Sequence, residues 1–164
     1  FKQKTAYEMC GRDWSSDVCS SDLLCIKIIN KLISSSDIDV PHGANVFLHI
    51  CASWENAAGS WKFYLNGSLL QSGSDFLTDE VIPSNGIVIL GQDQDDYGGG
   101  FEQEQSFVGQ MHGVNMWKRA LTAEEIYELS KNCSYGVGNF MSWSHFTSSL
   151  NGNVSLTSPI TCHP

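Results

Sequence analysis

From residue 46 onward the chain alternates short apolar runs with turn residues, at spacings that suit strands better than long helices. Residues 46–51 (VFLHIC) are apolar and rich in strand formers, and the run continues to Ser53 and Trp54. Residues 61–66 alternate with period two, placing Trp61, Phe63 and Leu65 on one face and Lys62, Tyr64 and Asn66 on the other. Asn66-Gly67 then supplies the positive backbone angles of a tight hairpin turn. Residues 86–90 (GIVIL) read as a short strand buried on both faces, and residues 106–108 and 114–117 as further strands. One helix is expected over 122–131. Thr122 and Glu125 form a capping box, Ile126 and Leu129 supply the apolar side, and Leu121 precedes the cap. Many short strands with one late helix predict an all-β antiparallel sandwich.

The beginning of the chain does not fit this pattern. Residues 1–23 follow neither period and lack the continuous apolar stretch of a signal peptide. They resemble the peptide produced when sequencing-adapter DNA is translated. They are therefore expected to be non-native and disordered, a disordered natural terminus being the alternative. Residues 24–36 turn abruptly from apolar to Ser-rich and read equally as a short buried strand or helix, or as translated non-coding sequence. Residues 24–40 stay unassigned, and a domain truncated at its N-terminus is expected over 41–164.

A length of 164 residues suits a single core. The net charge of -9 argues against nucleic acid and against anionic lipid, both of which require clustered Lys and Arg. The six cysteines show no zinc-type spacing. Three N-x-S sequons, at Asn66, Asn132 and Asn153, point with those cysteines to a secreted context. No stretch is apolar for long enough to span a bilayer, so no membrane insertion is expected.

Charge is unevenly distributed. Residues 63–117 contain no Lys or Arg but carry Asp75, Asp79, Glu80, Asp93, Asp95, Asp96, Glu102 and Glu104. Five of these acids fall within residues 91–105 (GQDQDDYGGGFEQEQ), where mutual repulsion favours a counterion. The segment offers only hard oxygen donors, including the amides of Gln92, Gln94, Gln103 and Gln105, which suit calcium over zinc or copper. Gly98, Gly99 and Gly100 let it fold back on itself. Asp93, Asp95, Gly98 and Glu104 match part of an EF-hand loop, but Tyr97 occupies a ligand position and no helix precedes it. Three readings stay open: a calcium loop, which is favoured, a solvated acidic loop, and paired carboxylates for glycoside hydrolysis. A phosphate cradle at the three glycines is disfavoured by the surrounding acids.

The stretch HICASWEN, with His49, Cys51, Ser53, Trp54 and Asn56, closely resembles the pentraxin signature H-x-C-x-S/T-W-x-S/T, with Asn56 replacing the final Ser or Thr. Residues 89–95 with the following glycines, Phe101 and Glu102, and residues 114–117 ahead of the helix, match the same family in order and spacing. The resemblance implies a flattened, lectin-like jelly roll and secreted recognition proteins, including those of innate immunity. Such proteins bind phosphocholine-, phosphate- or carbohydrate-bearing ligands through calcium and often form cyclic homo-oligomers such as pentamers. Carried over by position, the metal ligands are Asp93, Gln94 through its backbone carbonyl, Asp95, Glu102 and Gln105. Asp93 stands where the pattern has Glu, and the family's upstream Asp-Asn pair has no counterpart in this chain. The resemblance also implies a bridge between Cys133 and Cys162, worth roughly 3 kcal/mol in the chain-entropy model. The family partner of Cys51 lies upstream of the match, and Cys25 could serve only as a substitute.

Other residues receive structural readings. His49 is expected to be a satisfied strand histidine, Trp54 and Trp117 core residues, and Trp61, Phe63 and Leu65 packing. Ser53 lacks the context of a nucleophile. No enzyme is expected; the alternative to a ligand-binding module is an adhesion or assembly module within a larger receptor or long pentraxin, with a weak or vestigial calcium site.

Overall fold

A computed structural model describes residues 6–12, 25–28, 31–34, 48–82, 84–92, 94–132 and 135–157, the first three stretches and Gln105 as backbone only. Its main element is a five-stranded sheet, antiparallel throughout. The strands are β1 (Ala6–Arg12), β4 (His49–Glu55), β5 (Ser60–Leu65), β6 (Ser68–Gly73) and β7 (His112–Trp117), in the order β6-β5-β4-β1-β7. A separate hairpin pairs β2 (Cys25–Ile28) with β3 (Lys31–Ser34). Two helices follow, α1 (Ala123–Lys131) and α2 (Trp143–Thr147), and a 3-10 turn spans Gln103–Gln105.

Strand β4 is central because its sequence can be buried on both sides. Its register sets Cys51 opposite Tyr64, Ala52 opposite Phe63 and Trp54 opposite Trp61. Cys51 and Tyr64 therefore share one face, where they pack with Trp117, Leu121, Ile126 and Leu129. Trp54 and Phe63, on the other face, are also fully buried. Each such side chain contributes roughly 1.5–3 kcal/mol relative to exposure. Tyr64 thus corrects the sequence reading, which placed it on a polar face. Helix α1 lays Ile126 and Leu129 over that face, so the alternation marks two apolar layers, and only Lys62 and Asn66 keep to solvent.

The capping box of α1 forms as expected. Glu125 N–H donates to Thr122 Oγ1 at 3.2 Å, and Thr122 N–H donates to the Glu125 carboxylate at 2.8 Å. Arg119 grips the same carboxylate with two further bonds, of 2.6 and 2.8 Å. The Arg119 hydrogen bond, followed by the Thr122 backbone bond, lowers the Glu125 pKa from 4.5 to about 2. Helix α2 was not anticipated. Its N-cap Ser142 pairs with His145 where a Glu or Gln is usual, and its N–H donates to His145 Nδ1 at 3.1 Å.

Two strand expectations change. Residues 86–90 form no strand, and Ile87 is 43% exposed. Residues 106–108 are irregular, with Val108 87% exposed. An apolar run becomes a strand only when a neighbour completes its ladder, and among the described residues neither run has one. Conversely, Ala6–Arg12, expected to be disordered, forms β1 between β4 and β7, with Cys10 opposite Cys51 and a register shift between Cys10 and Arg12. There it pairs strand edges on both sides, a backbone requirement that needs no side-chain period. Residues 25–34 likewise resolve into a hairpin.

The C-terminal end of β4 organises the next segment. Trp54 Nε1–H donates to the Phe76 carbonyl at 2.8 Å, and Asn56 Nδ2–H to the Glu80 carbonyl at 2.7 Å. Backbone bonds from Asp75 to Ala58, Phe76 to Gly59 and Asp79 to Asn56 complete the attachment. Asn56, the departure from the signature, is buried.

Candidate metal-binding loop

The acidic segment closes into a loop between β6 and β7. Phe107 N–H donates to the Gly91 carbonyl at 3.0 Å, and Gln92 Nε2–H to Ser106 Oγ at 2.6 Å. These bonds bring the two ends of the segment together. Inside the neck, Asp96 and Gly99 exchange backbone bonds of 3.3 and 3.1 Å, and Gly98 N–H donates to Gln94 Oε1 at 3.1 Å. Gly100 makes the return possible. Its φ is +71°, and a Cβ there would lie 2.8 Å from Asp95 Cβ. Tyr97 reaches outward, its hydroxyl donating to the Asn85 carbonyl at 2.8 Å.

The expected metal ligands are unevenly described. Asp95 and Glu102 are exposed, Gln94 is half-buried, and Asp93 and the Gln105 side chain lie outside the described residues. Among the described residues no three His, Cys, Asp or Glu side chains form a group able to hold a metal. The donors fit calcium by type, being carboxylates and amide or peptide oxygens. Among the described residues Gln92 Oε1 is buried and accepts no hydrogen bond, at the base of the loop. The described ligands thus share a loop but not a preassembled shell. Gln92, read only as one of several amides, has a distinct place as the clasp with Ser106. No sequence signal marked that pairing, because it depends on the two ends of the loop meeting.

The core readings of Trp54 and Trp117 hold. Trp54 and Trp117 are buried, as is His49, whose Nε2 lies 3.6 Å from Cys51 Sγ. Cys51 is fully buried and is not a free thiol. The expected Cys133–Cys162 pair lies outside the described residues. Among the described residues no helix is long and apolar enough to cross a membrane.

Comparisons place this arrangement among known proteins. Neuronal pentraxin-2 of Homo sapiens is 33% identical over 136 residues, covering 82% of this chain and 31% of that protein. The pentraxin fusion protein of Xenopus laevis is 40% identical over 107 residues, covering 65% of this chain and 26% of that protein. The Sushi, von Willebrand factor type A, EGF and pentraxin domain-containing protein 1 of Rattus norvegicus is 33% identical over 115 residues, covering 69% of this chain and 3% of that protein. The chain therefore spans no more than about a third of the length of any of these relatives. Among solved structures, the native heptameric SAP-like pentraxin of Limulus polyphemus superimposes with a TM-score of 0.70 at 25% identity, covering 85% of this chain and 77% of that one. The antiparallel sheet with few helices is thus that of a lectin-like jelly roll. The model of the Pentaxin family matches residues 24–159, which leaves out the first 23 residues, and the chain belongs to that family.

Proposed function

We propose that the chain is a calcium-dependent extracellular recognition module. Asp93, the Gln94 backbone carbonyl, Asp95, Glu102 and Gln105 supply oxygens to the ion, and the ion bridges to an anionic ligand bearing phosphocholine, phosphate or carbohydrate. The observation that carries this reading is the closed neck of the acidic loop. Gly91 with Phe107, and Gln92 with Ser106, gather five acids into one loop. No Lys or Arg in residues 63–117 offsets them. Family membership supports the same reading, as does the set of hard oxygen donors. Binding, with no turnover, is the proposed activity. Assembly into a homo-oligomer is proposed from likeness to a pentraxin whose structure is heptameric. The test is retention on phosphocholine or phosphoethanolamine resin in calcium, with release by chelator. Equal retention with and without chelator would count against the proposal.

A second reading has its own support. The exposed Asp95 and Glu102 do not converge with other described acids, and the rat relative is a multidomain protein of which this chain covers 3%. On that reading the module serves adhesion or assembly within a larger protein, and calcium is weak or vestigial. Absence of any thermal shift with calcium, together with further domains in the full-length transcript, would favour it.

A further inference from the structure

The turn joining β5 to β6 carries the sequon Asn66-Gly67-Ser68. Leu65 pairs with Ser68 across it, and Asn66 and Gly67 have φ of +48° and +80°, as a two-residue hairpin turn with both centres left-handed requires. The Asn66 side chain is fixed on one side only. Its Oδ1 accepts the His49 N–H at 3.0 Å, while its own N–H donates to the His49 carbonyl at 2.7 Å. Among the described residues Nδ2 enters no hydrogen bond, and both Asn66 and Ser68 are exposed. Gly67 faces inward: a Cβ there would lie 2.5 Å from Ser130 Oγ and 3.1 Å from Tyr127 Cα of α1. A large group attached at this turn must therefore project away from the helix.

Among the described strands β6 is terminal in its sheet, so one side of its backbone has no described partner strand. Its sequence, SLLQSG, contains no charge and no proline, and Leu69 and Leu70 are 54% and 37% exposed. Natural edges are normally protected by charge, proline, a bulge or a cover. Among the described residues the β5–β6 ladder carries a register shift between Phe63 and Tyr64, and α1 approaches β6 beside the turn, but no charge or proline stands on the strand itself.

We propose that Asn66 is an N-glycosylation site whose oligosaccharide screens the β6 edge. The inference rests on the extracellular reading of the chain. Asn66 Nδ2 forms the bond to the anomeric carbon of a lipid-pyrophosphate-linked oligosaccharide. The bond from that carbon to the pyrophosphate oxygen breaks, the lipid pyrophosphate leaves, and Nδ2 loses one proton to base. The product keeps Oδ1 free to accept from His49, so the hairpin persists after modification.

The test is secretion of the chain from eukaryotic cells behind a cleavable leader, then enzymatic deglycosylation in heavy-oxygen water with peptide mass mapping. Position 66 is expected to convert to labelled Asp in the wild type and in Ser68→Thr, but not in Ser68→Ala. These variants leave the Asn66–His49 contacts in place. Light scattering is expected to show aggregates in Ser68→Ala that a further Leu69→Lys change removes. Mass mapping separates this site from the sequons at Asn132 and Asn153. An unmodified Asn66 in secreted protein would overturn the site, and a modified Asn66 without added aggregation in Ser68→Ala would overturn the screening role. The leader enforces secretory entry, so neither result bears on the extracellular reading. That reading is decided by the targeting segment of the parent transcript.

Discussion

Gln92 Nε2–H donates to Ser106 Oγ at 2.6 Å, joining residues 14 apart at the neck of the acidic loop. The partner of this contact on the backbone, Phe107 N–H to the Gly91 carbonyl, closes the same neck. With its ends fixed, the intervening segment can order around an ion without paying the full entropy of loop closure.

Calcium is expected to raise the melting temperature, because an ion bound only by the folded chain stabilises it. At a free concentration one hundred times Kd this linkage amounts to about 2.7 kcal/mol. Asp95→Asn removes a charge from a proposed ligand and should shrink the shift. Differential scanning fluorimetry with and without chelator checks both. A wild-type transition that calcium leaves in place contradicts the metal assignment.

Gly100→Ala should disrupt the loop while sparing the sheet. A side chain at φ +71° costs roughly 1–2 kcal/mol. Its Cβ would also press on Asp95. Loss of the calcium-induced shift with an unchanged far-ultraviolet circular dichroism spectrum is the expected result. Gly99→Ala is the control, since no atom lies within 4 Å of a Cβ there.

Glu125 gives a pH signature. Its pKa falls from 4.5 to about 2 on folding, chiefly through the Arg119 hydrogen bond and then the Thr122 backbone bond. A depressed carboxyl stabilises the fold above its unfolded pKa and loses that effect as pH falls through the folded value. The stability gap between wild type and Glu125→Gln should therefore narrow between pH 4.5 and about 2, as read from denaturant midpoints. A constant gap would mean the ion pair adds nothing to the cap. Thr122→Ala removes the other half of the box and should cost about 0.5–2 kcal/mol.

Ile126→Ala should destabilise by about 2–5 kcal/mol, because Ile126 is fully buried over Cys51 and Tyr64. Lys62→Ala, on the same face of β5 but exposed, should stay within about 0.5 kcal/mol. Urea midpoints distinguish the two. Similar effects would mean that α1 does not cover this face.

Elements with complete local information were legible in the sequence. The α1 capping box, the Asn66-Gly67 turn and the buried Trp54 and Trp117 each depend on neighbours in sequence or on bulk. Tyr64 was misread because the helix covering it lies some sixty residues later in the chain. Residues 86–90 have the composition of a strand, but pairing is a property of two segments and not of one. The acidic loop was recognisable by its donors. Its neck was not, since the Gln92–Ser106 contact exists only once the chain has turned back.

The double burial of β4 has a consequence for folding. Cys51 and Tyr64 lie beneath α1, whereas Trp54, with Asn56 one residue past the strand, holds the Phe76 and Glu80 carbonyls on the other side. A slip of one residue would turn the indole toward the helix and strand both carbonyls without a donor. Misaligned pairings of this hairpin are therefore rejected twice, by lost packing on one side and by lost hydrogen bonds on the other.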